Sequence, residues 1–260
     1  MRTGIKAGVG AIAFVLLGAW PAGAVAVTNL STSTTIFFDS FESGDLLHPG
    51  TGAWTLGPSA PGVSVTNAVS PGPAEGSFYA QSFRQTTTTL DEGNLQAEFS
   101  SAQTNPGDMI LLRMMVYLPS ATDTDARGQF MLDDGDFNSA RAWVRPNGAG
   151  HVEAVGPGFA VSDTGISYLT DQWQEWDLSY AIGSGTFSVT VGDVTVSGLS
   201  SPTSGAVAFA DLFNGVGNPA GSFFLDAVPQ PSSGAPEPSG FFLGGAAMLA
   251  LSPGLQRRVR

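Results

Sequence analysis

DQWQEWDLSYAIGSGTFSVTVGD, residues Asp171 to Asp193, decides the fold. Trp176, Leu178 and Tyr180 fall on every second position, and so do Phe187, Val189 and Val191. Successive side chains of a strand point to opposite faces, so this period of two marks half-buried β-strands. A small turn separates the two runs. Gly192-Asp193 then turns the chain so that Val194 and Val196 can pair back.

The same pattern extends outward. Thr35 to Phe38 reads as a first strand and Ser77 to Phe83 as another. Met109 to Leu118 is more continuously apolar, as expected of a central strand buried on both faces. Gly128 to Leu132, Ala140 to Arg145 and Gly150 to Val155 are joined by turn-forming sequences, the second link being Pro146-Asn147-Gly148-Ala149. Ala206 to Phe209 and Ser222 to Val228 supply the last two strands, while 51–70 and 197–204 read as loops. No stretch longer than a turn has helical periodicity, and there is no internal repeat. The expectation is an all-β antiparallel sandwich over residues 27–229, long enough to bury one core.

The two ends differ from this body. Arg2 and Lys6 precede an apolar segment from Ala7 to Leu17, and Ala22-Gly23-Ala24 fits the small-x-small rule of export-signal cleavage. Residues 1–24 are the expected signal peptide, with a second cleavage frame, Ala24-Val25-Ala26, ending two residues later. At the other end a linker, 230–235, leads to Pro236-Glu237-Pro238, an apolar run from Ser239 to Leu255, and a basic end with Arg257, Arg258 and Arg260. The prolines block helix propagation from upstream. The run, about 26 Å long as a helix, is at the short limit for spanning a bilayer, with arginines placed to stay cytoplasmic.

This tail, 236–260, resembles the PEP-CTERM sorting signal of Gram-negative bacteria that make exopolysaccharide. Pro253 near the inner end of the run departs from the family pattern. The resemblance implies recognition of Pro236, Glu237 and Pro238 by exosortase, transient anchoring in the inner membrane, and delivery to the cell surface or extracellular matrix.

Composition narrows the partners. Between residues 27 and 235 there are 21 acidic residues and five basic ones, Arg84, Arg113, Arg127, Arg141 and Arg145, so the body carries about −16 and no lysine. Nucleic acid is excluded as a partner by the lack of clustered cations. Anionic lipid surfaces are disfavoured for the same reason. Cysteine is absent, which removes disulfides, thiol nucleophiles and cysteine metal sites.

Three phrases of the body together resemble concanavalin A-like, laminin-G-like and carbohydrate-binding-module jelly rolls. They are FFDSFESGDL (Phe37 to Leu46) followed by Trp54, the Asp171–Asp193 hairpin, and SFFLDAV (Ser222 to Val228). The resemblance implies that the first and last strands lie side by side and share a structural calcium ion. Asp39 or Glu42 would hold it with Asp226; the alternative is that Glu42 and Asp226 are solvated or hydrogen-bonded to backbone. Asp133, Asp134 and Asp136 form a second acidic cluster, read as turn chemistry because no glutamate follows at EF-hand distance.

Extracellular polysaccharide is the expected partner. Glycan binding needs exposed aromatic platforms beside polar groups, and the candidates are Trp54, Trp143, Tyr79, Tyr168 and Tyr117, with Arg141, Arg145, Asn138 and Asn147 as polar neighbours. Trp173 and Trp176 are assigned to packing. A one-residue register error would invert every such assignment. No nucleophile elbow, His-Glu-x-x-His helix, phosphate loop or Glu-x-Asp-x-x-Glu phrase occurs, so no catalytic residue is nominated and the chain is expected not to be an enzyme. The alternatives are a self-associating matrix protein without a glycan site and, third, a polysaccharide lyase or glycoside hydrolase.

Overall fold

The computed structural model describes residues 25–56, 62–68, 70–84, 93–120, 128–214, 221–226 and 228. Among them every long element is a strand, and the only helical turns are short 3-10 segments at Phe137–Ser139 and Pro157–Phe159. In chain order the strands are β1 (Val25–Asn29), β2 (Thr34–Asp39), β3 (Ala53–Leu56), β4 (Val63–Thr66), β5 (Tyr79–Arg84), β6 (Leu95–Gln103), β7 (Met109–Tyr117) and β8 (Gln129–Asp133). They continue as β9 (Ala142–Pro146), β10 (His151–Val155), β11 (Val161–Ser167), β12 (Trp173–Ala181), β13 (Thr186–Val191), β14 (Val194–Ser200), β15 (Val207–Phe213) and β16 (Gly221–Asp226).

The strands form two antiparallel sheets of a jelly-roll sandwich. One is nine-stranded, in the order β14-β13-β12-β7-β16-β5-β4, with β1 pairing both β7 and β2. The other is seven-stranded, in the order β11-β10-β9-β8-β15-β6-β3. The hairpin of residues 171–193 is β12–β13, and Val191 pairs with Val194 across the two-residue turn into β14.

Strand β7 is bonded on both edges. Strand β12 pairs with it from residue 109 to 117, and its other edge is shared end to end by β1, along 110–113, and β16, along 115–117. First and last strands thus meet on one neighbour rather than pairing with each other. Inward from this sheet point Ile110, Leu112, Met114, Trp176, Leu178 and Tyr180, all at most 1% exposed. Phe130 of β8 crosses from the second sheet to pack edge-on against Trp176, 5.3 Å between ring centroids, and against Phe223 at 5.5 Å. Each such ring pair adds about 0.5–1.5 kcal/mol beyond its buried area. As expected, β7 is also covered on its outer face, where Leu111 and Met115 are buried.

Four expectations change. Residues 25 and 26 belong to the sandwich as the start of β1, whose five residues are all buried. Segment 51–70 contains β3 and β4, and β14 runs on into 197–204. Strands β6 and β11 are additional: β6 buries alternate residues Leu95, Ala97 and Phe99 before a polar tail, and β11 is an edge strand exposed at most positions. An edge strand that buries one side chain leaves no periodic signal. The signal peptide and the tail, 1–24 and 236–260, lie outside the described residues. Among the described residues no helix is long and apolar enough to cross a membrane.

Candidate functional site

The outer face of the nine-stranded sheet carries a row of aromatic rings. Tyr117 on β7 lies directly opposite Trp173 on β12 and Phe224 on β16. Side chains at facing positions share a sheet face, so the three rings line up across three adjacent strands. Tyr117 and Trp173 are 5.6 Å apart at 62°, and Tyr117 and Phe224 are 5.7 Å apart at 78°. Tyr79 on β5 closes the group, 5.9 Å from Trp173 and 5.7 Å from Phe224. Tyr79 is wholly buried, while Tyr117, Trp173 and Phe224 remain half-exposed.

Polar rows follow the rings. Glu175 and Asp226 both face Met115, and Asp177 faces Arg113. The Arg113 guanidinium makes two hydrogen bonds to Asp177, of 2.9 and 2.7 Å, and lies 3.1 Å from Glu175. Burial pushes the Glu175 carboxyl up, Asp177 adds to it, and Arg113 opposes both. These side chains hold one another in place at the solvent boundary.

A loop forms one wall of the site, and two carboxylates anchor it. Asp226 Oδ2 accepts from the amides of Ala74 (2.5 Å) and Glu75 (3.0 Å). Glu42 Oε1 accepts from the amides of Ser77 (2.9 Å) and Phe78 (3.0 Å). Gly76 sits between the two clamps at φ +63°, and a Cβ there would strike the Glu42 carboxylate. Only glycine satisfies both conditions. The same loop presents the Gly72 carbonyl to Trp173 Nε1 at 3.0 Å and the Ala68 and Ser70 carbonyls to the Tyr79 hydroxyl. Loop and rings are therefore one unit.

Glu42 and Asp226 do converge, as the resemblance implies, but on successive backbone amides. Asp39 is likewise committed: Oδ1 accepts from Phe41 N (2.7 Å) and Oδ2 from Trp54 Nε1 (2.5 Å). Burial raises its pKa despite both bonds. Among the described residues no three acidic or histidine side chains gather as metal donors. Calcium needs six to eight oxygens, and the groups around these carboxylates are N–H donors, which fit a cation poorly.

Four of the five aromatic residues nominated from sequence lie inside. Trp54 is 6% exposed and edge-on to Phe37, Trp143 is 5% exposed and donates to Gln129, and Tyr168 is 7% exposed and donates to the Asn147 carbonyl. With Tyr79 they cannot serve as open platforms. Arg141, 5% exposed, is enclosed by Ser139, Thr203, the Ala206 carbonyl and Asp134. Tyr117 is where a platform requires it. Trp173, assigned to packing, and Phe224, not nominated, complete the row. The signal for Trp173 was its parity: three residues from inward-facing Trp176, it must face the other way.

The opposite sheet holds a second unusual group. Asp133 on β8 and Asp211 on β15 interact through their side chains; Asp133 is fully buried, and its Oδ2, like Asp211 Oδ1, receives no hydrogen bond from a donor. Burial, with Asp211 alongside, pushes Asp133 up to about 8. Burial also raises Asp211, against a hydrogen bond from Gln96. Asp133 still performs the turn chemistry expected of its cluster, its Oδ1 accepting from Gly135 N at 2.6 Å, while the rest of its carboxyl is buried.

No protein-family model matches the chain, and no curated protein does. Several solved structures are similar to the chain. The catalytic domain of a glycoside hydrolase family 131 protein from Coprinopsis cinerea is 14% identical at TM-score 0.42, covering 70% of this chain and 84% of that one. The alginate lyase AlgAT5 of polysaccharide lyase family 7 is 14% identical at TM-score 0.40, covering 79% and 91%. Peanut lectin is 11% identical at TM-score 0.40, covering 65% and 93%.

Two outcomes follow from this geometry. Asp226→Ala strips two amides of their acceptor and should lower the melting temperature by several degrees, as expected for roughly 1–3 kcal/mol. Chelation by EDTA should leave the unmodified protein's melting temperature unchanged; a drop on chelation would return these carboxylates to a cation. The acid pair sets a pH dependence. Because Asp133 keeps its proton when folded up to about pH 8 but loses it near 3.8 when unfolded, the stability it contributes is present below 3.8 and declines as pH rises to about 8. Urea midpoints at pH 5, 7 and 9 should fall in that order, and Asp211→Asn, which can donate an amide N–H to Asp133, should flatten the decline.

Proposed function

We propose that this is an exported surface protein whose sandwich binds extracellular polysaccharide without transforming it. The row Trp173–Tyr117–Phe224 is the observation that supports this reading. Three strands spaced about 4.8 Å apart make a strip roughly 10 Å long. That suits about two sugar rings, whose C–H faces pack on aromatic surface while their hydroxyls reach Arg113, Glu175 and Asp177. The rings are inclined rather than coplanar, which favours a chain lying in a shallow groove over a flat crystalline surface.

Turnover is not part of the reading. A glycosidase needs two carboxyls roughly 5–10 Å apart and both open to substrate. Asp133 and Asp211 are in side-chain contact, and Asp133 is closed to solvent. Export by residues 1–24 and sorting by exosortase through Pro236-Glu237-Pro238 and the basic end complete the proposal. Strand β14 favours self-association as a second reading: it is an edge strand, mostly exposed, with no charge in VTVSGLS.

Binding is tested with the exported protein on a panel of neutral and anionic bacterial exopolysaccharides. Tyr117→Ala and Trp173→Ala should each weaken binding to the preferred glycan about tenfold or more, while Phe159→Ala, on the opposite sheet, leaves it unchanged. No binding across the panel, with concentration-dependent assembly by sedimentation, would replace this reading with the structural one. For sorting, Glu237→Ala should leave the protein in the inner membrane; normal surface delivery of that variant would end the exosortase proposal.

A further inference from the structure

Strand β1 begins at the first residue after one of the two cleavage frames. Resting on the reading of the N-terminus as an export signal, we propose that the signal is removed at the Ala24–Val25 bond, not at Ala26–Val27, and before β1 enters the sheet.

Both bonds satisfy the small-x-small rule, so the rule cannot choose between them. The fold does. Val25 and Val27 are both 0% exposed and belong to the main core with Ile36, Phe37 and Leu112. Val25 lies opposite Asp39, and Ala26 lies opposite Phe38 on one side and Arg113 on the other. A cut after Ala26 would remove a fully buried valine and two of the five residues of a strand bonded on both edges. A cut after Ala24 leaves all five residues of β1 in place.

The chemistry is hydrolysis: water adds across the amide, Ala24 departs as a carboxylate on the signal, and Val25 is left with a protonated amine. The protease must take the chain extended into its own cleft. Once docked, Val25 is buried and paired with β2, so reaction there would require β1 to leave the sheet. Strand β1 is not completed until β7 arrives, from Met109 onward. That delay leaves the bond open to the protease while the rest of the chain is still emerging.

The test is N-terminal sequencing and intact mass of the full chain expressed with its own signal and recovered after export from a Gram-negative host. A product beginning at Val25 is expected. One beginning at Val27 overturns this inference and leaves the export reading intact; one retaining Met1 overturns both. Ala22→Tyr, a residue that leaves with the signal, blocks the first frame and spares the second. The variant should stay uncut, or yield a Val27 product melting roughly 4–8 °C lower. A Val27 product as stable as the Val25 product would overturn the argument from β1.

Discussion

Strand β7 is the element on which the remainder of the molecule depends, because both of its edges are paired and most of its side chains are buried. Its backbone is laddered to β12 on one edge and to β1 and β16 on the other, and its side chains are packed on both faces. Inward it supplies Ile110, Leu112, Met114 and Val116 to the core. Outward it supplies Arg113 and Tyr117, the centre of the polar row and the centre of the aromatic row. A slip of one residue in its register would exchange the two sets and bury a guanidinium in the core. Stability and the proposed binding surface thus depend on the same nine positions.

The second constraint is the scarcity of cations. With no lysine in the body, carboxylates cannot all be neutralised by ion pairs, and the fold satisfies them in other ways. Backbone amides serve Glu42, Asp226 and one oxygen of Asp39. An indole N–H serves the other oxygen of Asp39. A retained proton serves Asp133 beside Asp211. Three of the few arginines are set against acid: Arg113 between Asp177 and Glu175, Arg141 against Asp134 and Arg145 against Glu153. An anion held by amide dipoles gains charge-assisted hydrogen bonds and orders the donating loop. This is how residues far apart in sequence, Glu42 and Asp226, come to shape one wall of the aromatic site.

How much of this was legible beforehand depended on the period of each segment. Trp176, Leu178 and Tyr180, then Phe187, Val189 and Val191, alternate without interruption, and their inward direction follows from the sequence alone. So does the double burial of β7. Strands such as β3, β4 and β11 lie at edges, bury at most one described side chain each, and are too short or too exposed to leave a decisive period. The site was partly legible for the same reason. Tyr117 could be placed outside, and parity with Trp176 places Trp173 there too. Trp54, Trp143 and Tyr168 lacked such a reference, because loops or bulges separate them from any unambiguous run. The register shifts between Trp54 and Leu56 and between His151 and Glu153 are where local alternation ceases to predict a face. The carboxylates pose a different problem. A phrase reveals that Glu42 and Asp226 are special, but only coordinates reveal what they bind.

Charge also bears on which polysaccharide suits the aromatic strip. The rows beside it carry one guanidinium against Glu175, Asp177 and Asp226, and Asp171 stands close enough to Tyr117 to help hold its hydroxyl proton. A uronate or sulfate brought to this face would meet a net negative field with its one cation already engaged by two carboxylates. Electrostatic repulsion of this kind discriminates by raising the cost of the wrong ligand, without adding a contact to the right one. A neutral glycan escapes that cost, stacks on the rings through its C–H faces, and donates hydroxyl hydrogens to carboxylates whose acceptor capacity exceeds the donors around them. On the proposed reading the excess of acid therefore acts as a filter, favouring neutral polysaccharide over charged polymers.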